Sequence, residues 1–113
     1  MTDQCLFCRI VRREIPAKIV HETDDTVAFA DINPQAPTHV LVIPKSHVAS
    51  LNEATDAAQI GRLALVAAEI ARDAGLAERG YRTVINTNAD AGQTVFHVHL
   101  HLLGGRRLGW PPG

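Results

Sequence analysis

The segment His97-Val98-His99-Leu100-His101-Leu102-Leu103 constrains this chain more than any other stretch, because polar and apolar residues alternate through it. In an extended strand, residues two apart face the same side at a rise of roughly 3.3 Å per residue, so three imidazoles line one face about 6.6 Å apart. Val98, Leu100 and Leu102 then form the opposite face, as expected of a strand that covers a core. On a helix His97 and His101 would be neighbours, while His99 would point nearly the other way. The spacing predicts a strand over 97–103 with a row of histidines on one side.

Three adjacent imidazoles repel one another if all are protonated, so their titrations are coupled and at least one stays neutral. A neutral imidazole whose second nitrogen donates to a carbonyl is a competent nucleophile or base near pH 7. Two plainer readings stand beside this one: a half-exposed strand that happens to use histidine, and a His-rich metal tract. The preceding turn, Ala91-Gly92-Gln93-Thr94-Val95, favours the chemical reading. Gly92 lets backbone N–H groups approach a ligand, and Gln93 and Thr94 add side-chain donors, which together suit an anionic oxygen.

The remaining sequence supplies a setting for that strand. With 113 residues, 46% of them apolar and a net charge of −1, the chain reads as one domain over 1–113 with neither an unfolded composition nor a basic footprint for nucleic acid. No apolar run approaches the roughly 18 residues of a membrane span, and the first residues lack the pattern of a signal peptide, so the cytosol is the expected compartment and no membrane partner is expected. A short helix is expected after Cys5, stopped by Pro16, followed by β segments at Lys18–Glu22 and Thr26–Ala30 around a turn at Thr23-Asp24-Asp25. The apolar run Thr38–Pro44 reads as a central strand buried on both faces. From about Glu53 to Ala74 the period becomes helical, with Ile60, Leu63, Ala64, Ala67 and Ala71 on one stripe, a capping box at Asp56 and Gln59, and a stop at Gly75. A strand at Tyr81–Asn86 and a turn-rich Thr87–Thr94 lead into the histidines. The sum is α+β: a mostly antiparallel sheet of about five strands with one long and one short helix.

His97-Val98-His99-Leu100-His101-Leu102-Leu103 matches the signature of the histidine triad (HIT) family of nucleotide hydrolases and transferases. Glu14-Ile15-Pro16-Ala17-Lys18, Asp31-Ile32-Asn33-Pro34-Gln35-Ala36-Pro37-Thr38-His39, Ile43-Pro44-Lys45-Ser46-His47, Ala91–Val95 and the terminal Trp110-Pro111-Pro112-Gly113 extend the match over essentially the whole chain. Together they resemble the Hint branch, the histidine-triad nucleotide-binding proteins. The resemblance implies a homodimeric enzyme of the HIT-like fold that cleaves purine nucleoside phosphoramidates, with aminoacyl-adenylates as candidate natural substrates. His99 would be the nucleophile that forms a nucleotidyl-histidine, with His101 at the phosphate and His39 in orientation and proton transfer; His97 completes the triad. Asp31 matches the carboxylate that holds the ribose hydroxyls, a bonding pattern suited to an acceptor-only group. Phe7, Ile10, Ile15, Phe29 and Leu41 match the apolar purine pocket, with Ile32 beside it. Asn86, Gly92, Gln93, Thr94 and Val95 match positions around the phosphate and leaving group. No catalytic metal is required in this scheme.

Cys5 and Cys8 have the spacing of half a zinc site. Bacterial members of the family with this early cysteine pair join it to two histidines that match His47 and His97, which implies a structural zinc. Two buried, reduced cysteines and a redox pair are the other readings. The resemblance implies that the tail 104–113 reaches the partner subunit's active site with Trp110; packing on its own sheet is the alternative. Two departures from the Hint pattern are Thr94, where serine is usual, and Ala91, where glycine is common. A dinucleoside polyphosphate hydrolase or nucleotidyl transferase, a nucleotide-binding regulator with little turnover, and a zinc-storage protein remain as rival functions.

Overall fold

Val40, Leu41, Val42 and Ile43 are buried on both sides of one strand, and that double burial organises the molecule. The computed structural model describes residues 4–113. Strands β1 (Ile19–Glu22), β2 (Thr26–Ala30), β3 (Thr38–Pro44), β4 (Tyr81–Val84) and β5 (Leu100–Gly104) form one antiparallel sheet in the order β1-β2-β3-β5-β4. Among the described residues three α-helices join it: α1 (Leu6–Val11), α2 (Ala57–Asp73) and the single turn α3 (Asn88–Ala91). The five-stranded α+β expectation holds, with α3 added where only a turn was expected.

The period-two pattern divides the core into two layers. Ala28, Val40, Val42, Leu100 and Leu102 pack under α2 against Leu63, Val66, Ala67, Ile70 and Ala71. Val27, Phe29, Leu41 and Ile43 face the other way and meet Phe7 and Ile10 of α1. The catalytic candidates thus lie on the α1 side, while α2 stiffens the back of the sheet. Ala64, expected on the buried stripe of α2, is exposed, and Val66 and Ile70 are buried in its place.

Helix α2 starts at Ala57, later than Glu53, because Asp56 caps it by accepting from the N–H groups of Ala58 and Gln59 at 3.0 and 3.3 Å. The reciprocal half of the expected box is absent: the Gln59 amide donates instead to Ser46 Oγ at 2.9 Å. The helix ends with Leu76 N–H on Ala71 O and Gly75 N–H on Arg72 O, a six-to-one closure for which Gly75 supplies φ of 76°. None of the described helices is long and apolar enough to cross a membrane. His21 of β1 lies 3.3 Å from Glu69 of α2, an acidic neighbour supplied by tertiary packing.

Candidate active site and metal centre

The ladder of β5 begins only at Leu100, so the expected strand over 97–103 is shortened at its start. His97 and His99 sit in the run-in, whose backbone bonds outside the sheet ladder: Val98 N–H donates to Val48 O at 2.6 Å. The alternation survives, since Val98, Leu100 and Leu102 are buried. The spacing between imidazoles does not: the ring centroids of His99 and His101 are 5.0 Å apart.

The hydrogen bonds assign a proton position to each ring. His99 Nδ1 lies 2.7 Å from the His97 carbonyl and must donate to it, which leaves the lone pair on Nε2. His39 Nδ1 accepts from Gln35 N–H at 3.0 Å, so its proton sits on Nε2. That nitrogen lies 2.9 Å from His101 Nδ1 and 3.4 Å from Asp31 Oδ2. His101 therefore accepts at Nδ1 and carries its own proton on Nε2. Burial pushes the pKa of His99 below the ordinary 6.5 and that of His101 down to about 4, with the neighbouring histidines adding to the second shift. Both rings are held neutral near pH 7.

A cleft of about 350 Å³ opens in front of this pair. Phe7, Ile10, Ile15, Phe29 and Leu41 make its apolar wall, Asp31 and Ile32 one rim, and Thr94 and Val95 the other, with His99 and His101 at the floor. Phe7 meets His99 edge to face at 5.1 Å and Phe29 at 5.3 Å, which fixes the nucleophile candidate against the wall. Eleven of the sequence-expected residues are thus gathered in one cleft, together with Leu6, Pro16, Ala17 and Ala30, which the sequence had not singled out. Ile32 is 101% exposed and free to cover a ligand at the rim.

Five other expected contacts, Asn86, Gly92, Gln93, Trp110 and His39, are outside that lining. His39 stands behind His101. Gln93 is buried and its amide is spent on the backbone, donating to Ala49 O and Val95 O and accepting from Asn88 N–H. It shapes the Thr94–Val95 rim rather than presenting a donor. Gly92 ends α3 with φ of 92°. Trp110 is 81% exposed beneath the Arg82 guanidinium, 5.8 Å from its carbon, and Arg82 also donates to Gly109 O at 2.8 Å.

His97 faces a different set of groups. It is fully buried, its Nε2 donates to Pro44 O at 2.7 Å, and its free Nδ1 lies 3.4 Å from Cys5 Sγ and 3.5 Å from Cys8 Sγ. His47 Nδ1 is 3.3 Å from Cys8 Sγ, and one ligand atom from each of the four residues lies within 4.8 Å of the others. Sulfur at about 2.3 Å and nitrogen at about 2.0–2.1 Å on a tetrahedral ion stand about 3.6 Å apart, so these separations are the edges of such a site. Cys5 is the N-cap of α1 and accepts from Cys8 N–H, which brings both thiols to the helix start. Burial, with Cys5 alongside, pushes the Cys8 thiol up to about 11. The four residues lie close enough to hold a metal ion and fit a structural zinc. Asp31, His39 and His101 also converge, but as the hydrogen-bonded group already described.

The HIT domain model matches residues 12–108. An uncharacterized HIT-like protein of Synechococcus elongatus is 56% identical, with all of both chains covered. The purine nucleoside phosphoramidase of Escherichia coli K12 is 50% identical over 96% of this chain and 93% of its own. A crystal structure of a HIT family hydrolase from Legionella pneumophila superposes with a TM-score of 0.95 at 50% identity, covering 97% of this chain and all of that one.

Proposed function

Because the chain belongs to the HIT domain family, we propose that it hydrolyses the P–N bond of purine nucleoside 5′-phosphoramidates, with aminoacyl-adenylates, cleaved at a P–O bond, as a second substrate type. The observation that carries this reading is the 2.7 Å bond from His99 Nδ1 to the His97 carbonyl, which leaves a lone pair on Nε2. The purine lies against Phe7, Phe29, Ile10, Ile15 and Leu41, and Asp31 accepts from the ribose hydroxyls. His99 Nε2 forms a bond to phosphorus as the bond to the leaving amine breaks. The amine needs one proton to depart; His101 Nε2–H donates it, and the His39 Nε2 proton moves toward His101 Nδ1 in compensation. Water then attacks phosphorus, returns one proton by the same route and releases the nucleoside monophosphate. The Thr94–Val95 rim and the His101 N–H stabilise the developing charge, so this scheme requires no catalytic metal.

Cys5, Cys8, His47 and His97 would hold a structural zinc, which when bound supplies a tetrahedral cross-link between α1 and the run-in to β5. The reading also includes one domain over 1–113, a cytosolic setting and a homodimer in which tail 104–113 with Trp110 reaches the partner's cleft. The exposed Trp110 and the unpaired outer edge of β4 support that arrangement.

The deciding experiment compares AMP release from an adenosine phosphoramidate and from a diadenosine polyphosphate in one preparation. Strong preference for the P–N bond is expected. Preference for the polyphosphate would move the protein to another HIT reaction, and binding of AMP without turnover of either would make it a regulator. The pH profile provides a second check. A histidine whose pKa is depressed stays neutral as pH falls through 6.5 and gains its proton only near its lowered value. Turnover is therefore expected to stay level through 6.5 and to fall as pH approaches about 4, the value for His101. Stability contributed by the neutral ring is lost as pH falls from 6.5 to about 4, because the unfolded imidazole protonates first. A midpoint at 6.5 would contradict this assignment.

A further inference from the structure

Strand β5 does more than carry His101. Its register sets Leu103 opposite His39 and Gly104 opposite Thr38, so the chain leaves the sheet beside the loop that leads into β3. Gly105 there has φ of 93°, and a Cβ added to it would lie 2.9 Å from Pro37 Cβ. Glycine is what allows the backbone to press this closely on the loop. One residue later Arg106 closes on the same loop. Its Nε and Nη2 donate to the Gln35 carbonyl at 3.2 and 2.9 Å, while Nη1 donates to Arg107 O at 3.0 Å. Gln35 turns its own N–H onto His39 Nδ1 at 3.0 Å. The loop is braced further by Gln35 Nε2 on Asn33 O and by Asn33 N–H on Asp31 Oδ1.

We infer that Arg106 is a positioning residue for His39. By clamping the Gln35 carbonyl, with Gly105 packed on Pro37, it holds the Gln35 N–H on His39 Nδ1 and keeps the His39 proton on Nε2, facing His101. A planar fork with two donors on one oxygen fixes direction as well as distance, which a flexible ammonium does not. If the Gln35 N–H turns away, the other His39 tautomer becomes accessible. Its bare Nε2 would then face His101 Nδ1, and His101 could keep the hydrogen bond only by moving its own proton to Nδ1, which takes that proton away from the cleft. The kinetic consequence of this inference rests on the proposed phosphoramidase reading; its structural content does not.

The test uses full-length protein with ¹⁵N-labelled histidine and compares the parent with Arg106→Gln and Arg106→Lys. Long-range ¹H–¹⁵N spectra read the tautomer of each ring. The parent is expected to hold His39 in the single Nε2–H form, Arg106→Gln to mix the two forms, and Arg106→Lys to lie between them. With an adenosine phosphoramidate, kcat of Arg106→Gln falls roughly tenfold to a hundredfold, KM stays within about twofold, and Arg106→Lys recovers part of the loss. An unchanged His39 tautomer in Arg106→Gln overturns the inference even if kcat falls, since the arginine then acts on stability alone. Should the parent release no AMP, the proposed function fails, while the tautomer readout still decides the role of Arg106. If Arg106→Gln does not fold, Arg106→Lys, which keeps the charge and loses the fork, carries the same comparison.

Discussion

Replacing His99 with alanine is expected to lower AMP release from an adenosine phosphoramidate by roughly 10³-fold or more, while AMP still binds. Nothing else in the cleft supplies a free ring nitrogen in the same place. His101 presents a proton rather than a lone pair, because its Nδ1 accepts from His39. His97 is fully buried with Nδ1 turned to the cysteines. The apolar wall and Asp31 are untouched by the substitution, so nucleotide binding, read by calorimetry with AMP, persists. Mass spectrometry of a quenched reaction should find the nucleotidyl adduct in the parent and not in His99→Ala. Full turnover by a clean preparation of the variant would remove His99 from the mechanism.

Cys8→Ala is expected to lower stability far more than catalysis. In the proposed zinc-bound form, a tetrahedral ion would join the start of α1 to His47 and His97, which are far apart in sequence, and losing one ligand would remove that cross-link. Loss of a structural metal belongs to the small class of changes that cost more than about 4 kcal/mol, which corresponds to roughly 15 °C in Tm for a domain of this size. Thermal unfolding of the zinc-loaded parent, with and without a chelator, gives the comparison. Chelator should destabilise the parent strongly and Cys8→Ala hardly at all. Turnover per folded molecule at low temperature should change less than about tenfold, because Pro44 O and Val48 O still hold His97 and Val98 where the His97 carbonyl meets His99. Equal parental Tm with and without chelator would exclude the metal.

The two cores were legible in the alternation. Val40 and Val42 go under α2, and Leu41 and Ile43 go toward α1, as period two requires. The placement of the histidines on the face opposite Leu100 and Leu102 was equally legible, and so was the cysteine pair at the start of a short helix. The start of β5 was less so. Alternation extends to His97, but the sheet ladder has no partner for the run-in, whose backbone bonds to Val48 instead. Side-chain chemistry also misread Gln93. Its donors suited a phosphate, yet they are consumed by carbonyls of residues 49 and 95 that the fold brings to it.

The sequence by itself determined which side of each strand is apolar, where α2 is capped and stopped, and which residue types could do nucleophilic or metal chemistry, because these follow from local periodicity and side-chain identity. Only the tertiary structure decided how the histidines divide their work. His97 turns to the cysteines, His99 to the cleft and His101 to His39, and each choice is made by a backbone group of distant sequence: the carbonyls of Pro44 and His97 and the N–H of Gln35. Every residue carries those backbone groups, so no residue letter marks them, and the position of an imidazole proton depends on which one the folded chain brings within reach.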